Sequence, residues 1–414
     1  MNAITNTVHT MVQSMRHHRR RTLLVLLSLA CLAIAAVLCH SGTSSWNALQ
    51  RRFQSELDAL HDKYRFPGAT AAFILPDGTV KIVATGLADV EAGVPMTERS
   101  RMLAASIGKT FVGATVAALE EEGALDLDDP VSKYIGDRPW FSRLPGHNEI
   151  TLRQLLTHSS GISNHVDTED FRRAFAETSR ANGNSLAPEE LVTFVLDKPP
   201  LFQPGRGWAY SDTGYILIGL VIEKVTGHAY YEELTRRFLE PMRLRMTAPS
   251  DRRELFGLAA GYTAPDNRFG LPRKTTIRPG VMAWDPAIEW TGGGIVSNPA
   301  DLVVWAKALY EGHAIKGNYL KRLLQSVEIG GHDGVRYGIA VAIRENGPLG
   351  KSYGHSGWIP GYCSSLRYYT GHRVAVAFQI NTDIGIVDGS TRIVDDMEYH
   401  LAKVVVDSLS KGDQ

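Results

Sequence analysis

Leu103-Ala104-Ala105-Ser106-Ile107-Gly108-Lys109-Thr110 is the stretch on which the reading of this chain turns. Its end imitates a phosphate-binding loop, but that motif needs glycine at its first position so that the backbone can curl round a phosphate, and Leu103 stands there. What remains is Ser106-x-x-Lys109, at the start of a helical pattern that runs from about Ser106 to Glu122 and stops at Gly123. Three residues apart on a helix, the two side chains share a face, so the amine can reach the hydroxyl. The helix N-terminus adds free N–H groups and a dipole that favours an oxyanion. A neutral lysine can take a serine proton only where burial or another cation lowers its pKa. A second Ser-x-x-Lys, Ser408 to Lys411, sits in a polar tail without such a setting.

Working outward, residues 44–66 place Trp46, Leu49, Phe53, Leu57, Leu60 and Tyr64 at helical spacing. Two strand-like runs follow, Gly68 to Leu75 and Thr79 to Gly86, joined by the hairpin turn Asp77-Gly78. The middle of the chain predicts helices at 151–157, 188–197, 213–225 and 230–240, then a loop-rich stretch at 246–290 and a helix from Pro299 to Tyr310. Strand patterns return at 335–344, 362–369 and 373–380, and a closing helix is expected over 390–409. This order predicts an α/β (α+β) fold. An antiparallel sheet is assembled from both chain ends and flanked by helices, with a mainly helical subdomain inserted between them.

The 414 residues are 44% hydrophobic and 21% charged, which excludes a disordered or collagen-like chain. The 44 basic residues balance the 44 acidic ones, but Arg16, Arg19, Arg20 and Arg21 stand before residue 40 without an acid, which leaves the body with an excess of acids. Such a body is a poor match for phosphates, so no nucleic-acid partner is expected. After the basic cluster, Thr22 to Cys39 carry no charge; eighteen residues make about 27 Å of helix, close to the ~30 Å core of a bilayer. This predicts an N-terminal unit, 1–43, that is a membrane anchor or a cleaved signal, and a folded domain over 44–410. The length favours the anchor, and the basic end stays in the cytoplasm while the body is exported, to periplasm or exterior. Two of the three cysteines lie in the apolar run, so Cys363 alone cannot staple the domain and reads as a buried core residue. No His, Asp or Glu cluster has metal-ligand spacing, and no metal or other cofactor is expected.

Two further segments complete the pattern. Tyr210-Ser211-Asp212 follows the Pro-Gly loop Phe202-Gln203-Pro204-Gly205 and precedes a helix, and His355-Ser356-Gly357 precedes the last strands. Gly354-His355-Ser356-Gly357 also begins like a nucleophile elbow, but Trp358 occupies the position where that turn needs glycine. With Ser106-x-x-Lys109, these segments resemble the three motifs of the serine β-lactamase-like and penicillin-binding-protein-like hydrolases, class C branch: Ser-x-x-Lys, Tyr-x-Asn, and Lys-Thr-Gly or His-x-Gly. Their separations are 104 and 145 residues. Leu155-Leu-Thr-His-Ser-Ser-Gly-Ile162 and Gly292-Gly-Gly-Ile-Val-Ser-Asn-Pro-Ala-Asp301 look like the same family, and the resemblance covers about residues 50–405.

The resemblance implies that Ser106 is the nucleophile of an acyl-enzyme, Lys109 its proton partner, and Tyr210 a proton carrier between Ser106 and the leaving group. It implies that His355 flanks the cleft, donating to substrate or orienting Tyr210, and that the N–H groups of Ser106 and of Trp358, just past Gly357, form the oxyanion hole. His158 reads as a packing element. Asp212 departs from the usual Asn: a carboxylate can only accept hydrogen bonds, and it favours the charged form of a nearby lysine. Either Tyr210 then carries more of the proton transfer, or the substrates have no carbonyl to be held at that point. The function expected is an exported serine hydrolase acting on esters or D-amino-acid-containing peptides or amides, its partner a small-molecule or peptide acyl substrate. The alternatives are a β-lactamase or D-Ala-D-Ala carboxypeptidase, and a penicillin-binding sensor with little turnover.

Overall fold

The computed structural model describes residues 47–410 except 182–184, 332–333 and 387. The basic cluster, the apolar run 22–39 and Lys411 lie outside the described residues, and with them the expected anchor or signal. Among the described residues no helix is long and apolar enough to cross a membrane. Contacts divide the chain into residues 1–52 and Phe53–Gln414, and the description below concerns the second.

The main strands are β1 (Gly68–Ile74), β2 (Val80–Asp89), β3 (Val94–Pro95), β4 (Val327–Glu328), β5 (Val335–Tyr337), β6 (Ala342–Arg344), β7 (Ser352–Ile359), β8 (Tyr362–Tyr369) and β9 (Val374–Ile380). They form one antiparallel sheet in the order β3-β2-β1-β9-β8-β7-β6-β5-β4. The first strand of the domain therefore lies beside the last, in register from Ala69↔Ile380 to Ile74↔Ala375. A sheet built from both chain ends, as the sequence order predicts, is the result. Every residue of β1 and β9 is buried, because both faces are covered. On one face Ala72 and Ile74 join the main core. On the other, Phe73 meets Phe53 edge to face at 4.9 Å, in the helix α1 over residues 47–64.

The inserted body is organised by two helices that are apolar nearly all round, as interior helices must be. In α2 (Lys109–Glu121) every residue through Leu119 is buried, and in α4 (Asp212–Thr226) every residue from Thr213 to Ile222. Between them in sequence lies α3 (Glu169–Arg180), and α5 (Pro299–Tyr310) packs the body onto β1 and β9. Phe111 of α2 stacks on Trp305 of α5 at 4.0 Å, and Trp305 Nε1 donates to Thr110 Oγ1 at 2.8 Å.

Two elements are not among those expected. α3 buries Phe171 and Phe175, one turn apart, and turns its charged residues away from them, a helical period that the sequence does carry. β7 carries Gly354, Gly357 and several polar residues, a composition that disfavours strands until pairing with β8 supplies its hydrogen bonds. The expected strand at 335–344 divides into β5 and β6, and the helix expected from Ser106 begins as the tighter turn Ala105–Gly108.

Behind β7 a buried ionic group ties the C-terminal helix α6 (Ile393–Ser410) to the sheet. Glu398 accepts from Arg344 Nη1 at 2.5 Å, Ser365 Oγ at 2.5 Å, Arg367 Nε at 3.3 Å and Ser356 Oγ at 3.3 Å. Burial opposes its charge, but Arg367 and Arg344 outweigh that and bring its pKa down to about 2. Truncating Glu398 strands the buried Arg367 guanidinium. Glu398→Ala should lower the stability by about 3–5 kcal/mol, read as a fall in the urea midpoint at pH 7.

Candidate active site

The site is built where the sheet meets the helical body. The turn Ala105–Gly108 presents Ser106, and Ala105 before it sits at φ +50°, a left-handed conformation that costs an L-residue about 1–3 kcal/mol. Close backbone packing holds it there. Ser364 Oγ on β8 donates to the Ala104 carbonyl at 2.8 Å, and a Cβ on Gly357 would drive into that same carbonyl and into Ser364. From the opposite side comes Gly293, at φ +152°, where a Cβ would stand 2.5 Å from the Ala105 carbonyl oxygen and 2.9 Å from the Ser106 nitrogen. Only glycines allow the strand and the loop to grip the turn this tightly.

Lys109 opens α2 and is fully buried. Its Nζ donates to Ser106 Oγ at 3.0 Å, to Asp212 Oδ1 at 2.5 Å and to the Gly292 carbonyl, so all three ammonium donors are engaged. It also lies 5.0 Å from the Tyr210 ring centre and 5.2 Å from that of Tyr215, in reach of both ring faces. Burial works against the charge, but the Asp212 carboxylate and the Tyr210 hydroxyl outweigh it, and the pKa rises above the ordinary lysine value. The resting amine is an ammonium ion.

Tyr210 and Asp212 arrive together at the start of α4. Asp212 fits the helix N-terminus, where the dipole favours an anion. The segment is pinned by His158 and Asn164: Ser211 N–H donates to His158 Nδ1 at 3.1 Å, Ala209 N–H to the His158 carbonyl at 3.0 Å, and Asp212 N–H to Asn164 Oδ1 at 3.2 Å. The His158 ring lies 4.1 Å from that of Tyr210 and backs it. The Tyr210 hydroxyl is buried and makes no well-formed hydrogen bond among the described residues, although Lys109 and Ser106 lie near enough to act on it. Burial pushes its pKa up to about 12 against the pull of Lys109, so it is a neutral hydroxyl.

His355 stands on β7, buried, with both ring nitrogens occupied. Nδ1 lies 2.5 Å from the Ser356 carbonyl oxygen, which can only accept, so Nδ1 carries the proton and Nε2 accepts from Tyr337 Oη at 2.7 Å. That leaves no N–H for a substrate, whereas the ring lies 6.3 Å from Tyr210 and helps wall it in. Burial, then Lys109, lowers the His355 pKa to about 3. On the same strand Trp358 pairs with Cys363 of β8, while β6 reaches β7 only as far as Gly354.

The structure thus gathers every residue expected from the sequence. Ser106, Tyr210, Asp212, His355, Gly357 and Trp358 line one open cleft, and Lys109 lies beneath. A second, narrower cavity is lined by Ser106, Asp212 and Glu289 together with the rings of Phe171, Phe175, Phe269 and Trp284. Sequence reasoning missed the Gly292 carbonyl, Tyr337, Tyr215 and Glu289. Gly292 lay inside a quoted family segment, but nothing local to the other three announced them.

A serine hydroxyl held by a buried ammonium, beside a free phenol in a cleft, is the equipment of a serine hydrolase. The chain belongs to the Beta-lactamase family, whose pattern it matches over residues 53–399. It is 24% identical over 346 residues to a penicillin-binding protein of Bacillus subtilis (strain 168), covering 81% of this chain and 72% of that one. Among solved structures it resembles a D-stereospecific amidohydrolase from Streptomyces sp., with a TM-score of 0.67 and 27% identity over 81% of this chain and 94% of the other. It has the fold of the D-amino acid amidase from Ochrobactrum anthropi SV3 complexed with L-phenylalanine amide, with a TM-score of 0.70 and 22% identity over 87% and 99% of the two chains.

Two outcomes follow from the charges. In Asp212→Asn the burial of Lys109 is no longer outweighed and its pKa falls. The falling, alkaline limb of the pH profile of Ser106 labelling by a fluorophosphonate, where the ammonium is lost, should move about one to three units towards acid; an unmoved limb would show that Asp212 does not set the charge of Lys109. His165 is buried and neutral, its pKa lowered by burial from 6.5 to about 4. The unfolded chain takes up that proton first, so the stability it contributes is present above pH 6.5 and is lost as pH falls towards 4. Between pH 7 and pH 5, His165→Asn should therefore lose about 2 kcal/mol less stability than the parent in urea unfolding.

Proposed function

We propose that this chain is an exported serine hydrolase that works through a Ser106 acyl-enzyme on esters or on D-amino-acid-containing peptides and amides. The observation that carries the reading is the 3.0 Å contact between Lys109 Nζ and Ser106 Oγ in a buried, charge-compensated setting. Export rests on the basic and apolar N-terminal sequence alone. The likeness to an amidohydrolase of D-stereospecific action supports the substrate class.

In this reading Ser106 Oγ attacks the acyl carbon. Because Lys109 is held as an ammonium, it serves as fixed positive charge beside the serine oxygen, stabilising the alkoxide as it forms. The proton moves through Tyr210: the neutral phenol takes the serine proton while passing its own to the departing nitrogen or oxygen, so one proton enters and one leaves. Ser106 N–H lies in the first turn of a helix, where backbone donors have no helical partner, and with Trp358 N–H it receives the carbonyl oxygen. Water then enters by the same path in reverse and releases the acid. Asp212, which cannot donate to a substrate carbonyl, favours simple esters and small amides over the β-lactam and D-Ala-D-Ala substrates of a β-lactamase or carboxypeptidase.

Labelling with a fluorophosphonate and with a fluorescent penicillin tests this. Both the parent and Ser106→Ala should unfold at similar urea concentrations, and label should appear on the parent alone. Label retained by the alanine variant would mean that another residue is acylated. A penicillin adduct that forms quickly and never turns over would favour the sensor.

A further inference from the structure

We propose that the narrow cavity beside Ser106 is an ammonium subsite, in which Glu289, with Asp212, selects acyl donors that carry a free α-amine and an aromatic side chain. This rests on the acyl-enzyme reading and specifies which acyl groups that site takes.

The cavity joins three features. Ser106 and Asp212 line it, Glu289 lines it as well, and the rings of Phe171, Phe175, Phe269 and Trp284 complete the lining. An α-amine is two bonds from the carbonyl carbon that Ser106 would attack, so an amino-acyl group seated there brings its nitrogen to the carboxylates and its side chain to the rings. Ring faces attract a cation as well as an aromatic side chain.

The cavity holds a carboxyl group without a partner among the described residues. Glu289 makes no hydrogen bond or ion pair among the described residues, although it lies on the Pro286–Gly292 segment whose Gly292 carbonyl is bound by Lys109. Lys109 cannot serve it, since its three donors are committed to Ser106, Asp212 and Gly292. His165 also lines the cavity, but burial keeps it neutral, and its Nδ1 is engaged with Thr213 Oγ1 at 3.1 Å. Arg268 borders the wider cleft instead. Burial, and next the Asp212 carboxylate, push the Glu289 pKa up to about 8, so the empty cavity favours its protonated form near neutrality. An arriving ammonium reverses this. It offers both the opposite charge and the hydrogen-bond donor that the carboxyl lacks.

Binding can be read without turnover. Ser106→Ala protein is titrated calorimetrically with D- and L-phenylalaninamide and with 3-phenylpropanamide, which lacks only the amine. At least one phenylalaninamide enantiomer should bind about tenfold or more tightly than the amine-free amide, and adding Glu289→Gln should remove most of that ratio. Equal affinities for all three amides, no binding of any of them, or a preference that survives Glu289→Gln would each overturn the proposal. The second measurement needs no Glu289 variant: in the parent protein, phenylalaninamide should slow fluorophosphonate labelling of Ser106 at about tenfold lower concentration than 3-phenylpropanamide. Equal protection would again overturn it. The labelling of Ser106 itself does not depend on the amine, so loss of the acyl-enzyme reading and loss of the ammonium subsite are seen separately.

Discussion

The burial of the Lys109 ammonium between Ser106, Asp212 and the Gly292 carbonyl is the constraint around which the rest is arranged. A charge taken out of water costs several kcal/mol unless opposite charge and acceptors surround it, and breaking such a pair leaves the full penalty behind. Each of the three acceptors comes from a different part of the chain: the turn before α2, the start of α4, and the loop ahead of Gly293. Placing them within reach of one amine requires backbones to come closer than side chains allow. Hence the glycines at 293 and 357, and the left-handed Ala105 that this packing holds.

Around that centre the protein assembles groups that stay neutral. His158, His165 and His355 are all kept unprotonated by burial, and the phenols of Tyr210, Tyr215 and Tyr337 are kept protonated by the same cause. The rings of His158 and His355 lie 4.1 Å and 6.3 Å from that of Tyr210, and its hydroxyl is buried between them and the cleft. Low dielectric strengthens every charge left in the cleft. In such surroundings Lys109, Asp212 and Glu289 matter more than their number suggests.

The location of the cleft follows from the fold. β7 supplies His355, Gly357 and Trp358 from the sheet, and the helical body supplies Ser106, Lys109, Tyr210 and Asp212. Neither layer holds a complete site. Their relative position is set by the α5 packing on β1 and β9, by Ser364 on the Ala104 carbonyl, and by the Glu398 group that ties Ser356 and Arg367 to the last helix.

Much of this was legible before any coordinates. Helical and strand periods located α1, α2, α4, α5, the first hairpin and the last two strands, because an element that buries one face, or all of itself, must repeat its apolar residues. The motif residues were legible because Ser106 and Lys109, and Tyr210 and Asp212, are neighbours along the chain, so local geometry already brings them together. β7 is masked by its glycines and polar residues, which make a strand only once β8 and β6 lie beside them, and a local period does not record that dependence on a partner. For the same reason only the tertiary structure decided that His355 spends both nitrogens on Ser356 and Tyr337, that Lys109 keeps its proton, and that Glu289 lines the nucleophile's cavity without a partner among the described residues. Residue order determines which groups exist and which are adjacent; the charge and partners of a buried group depend on everything folded around it.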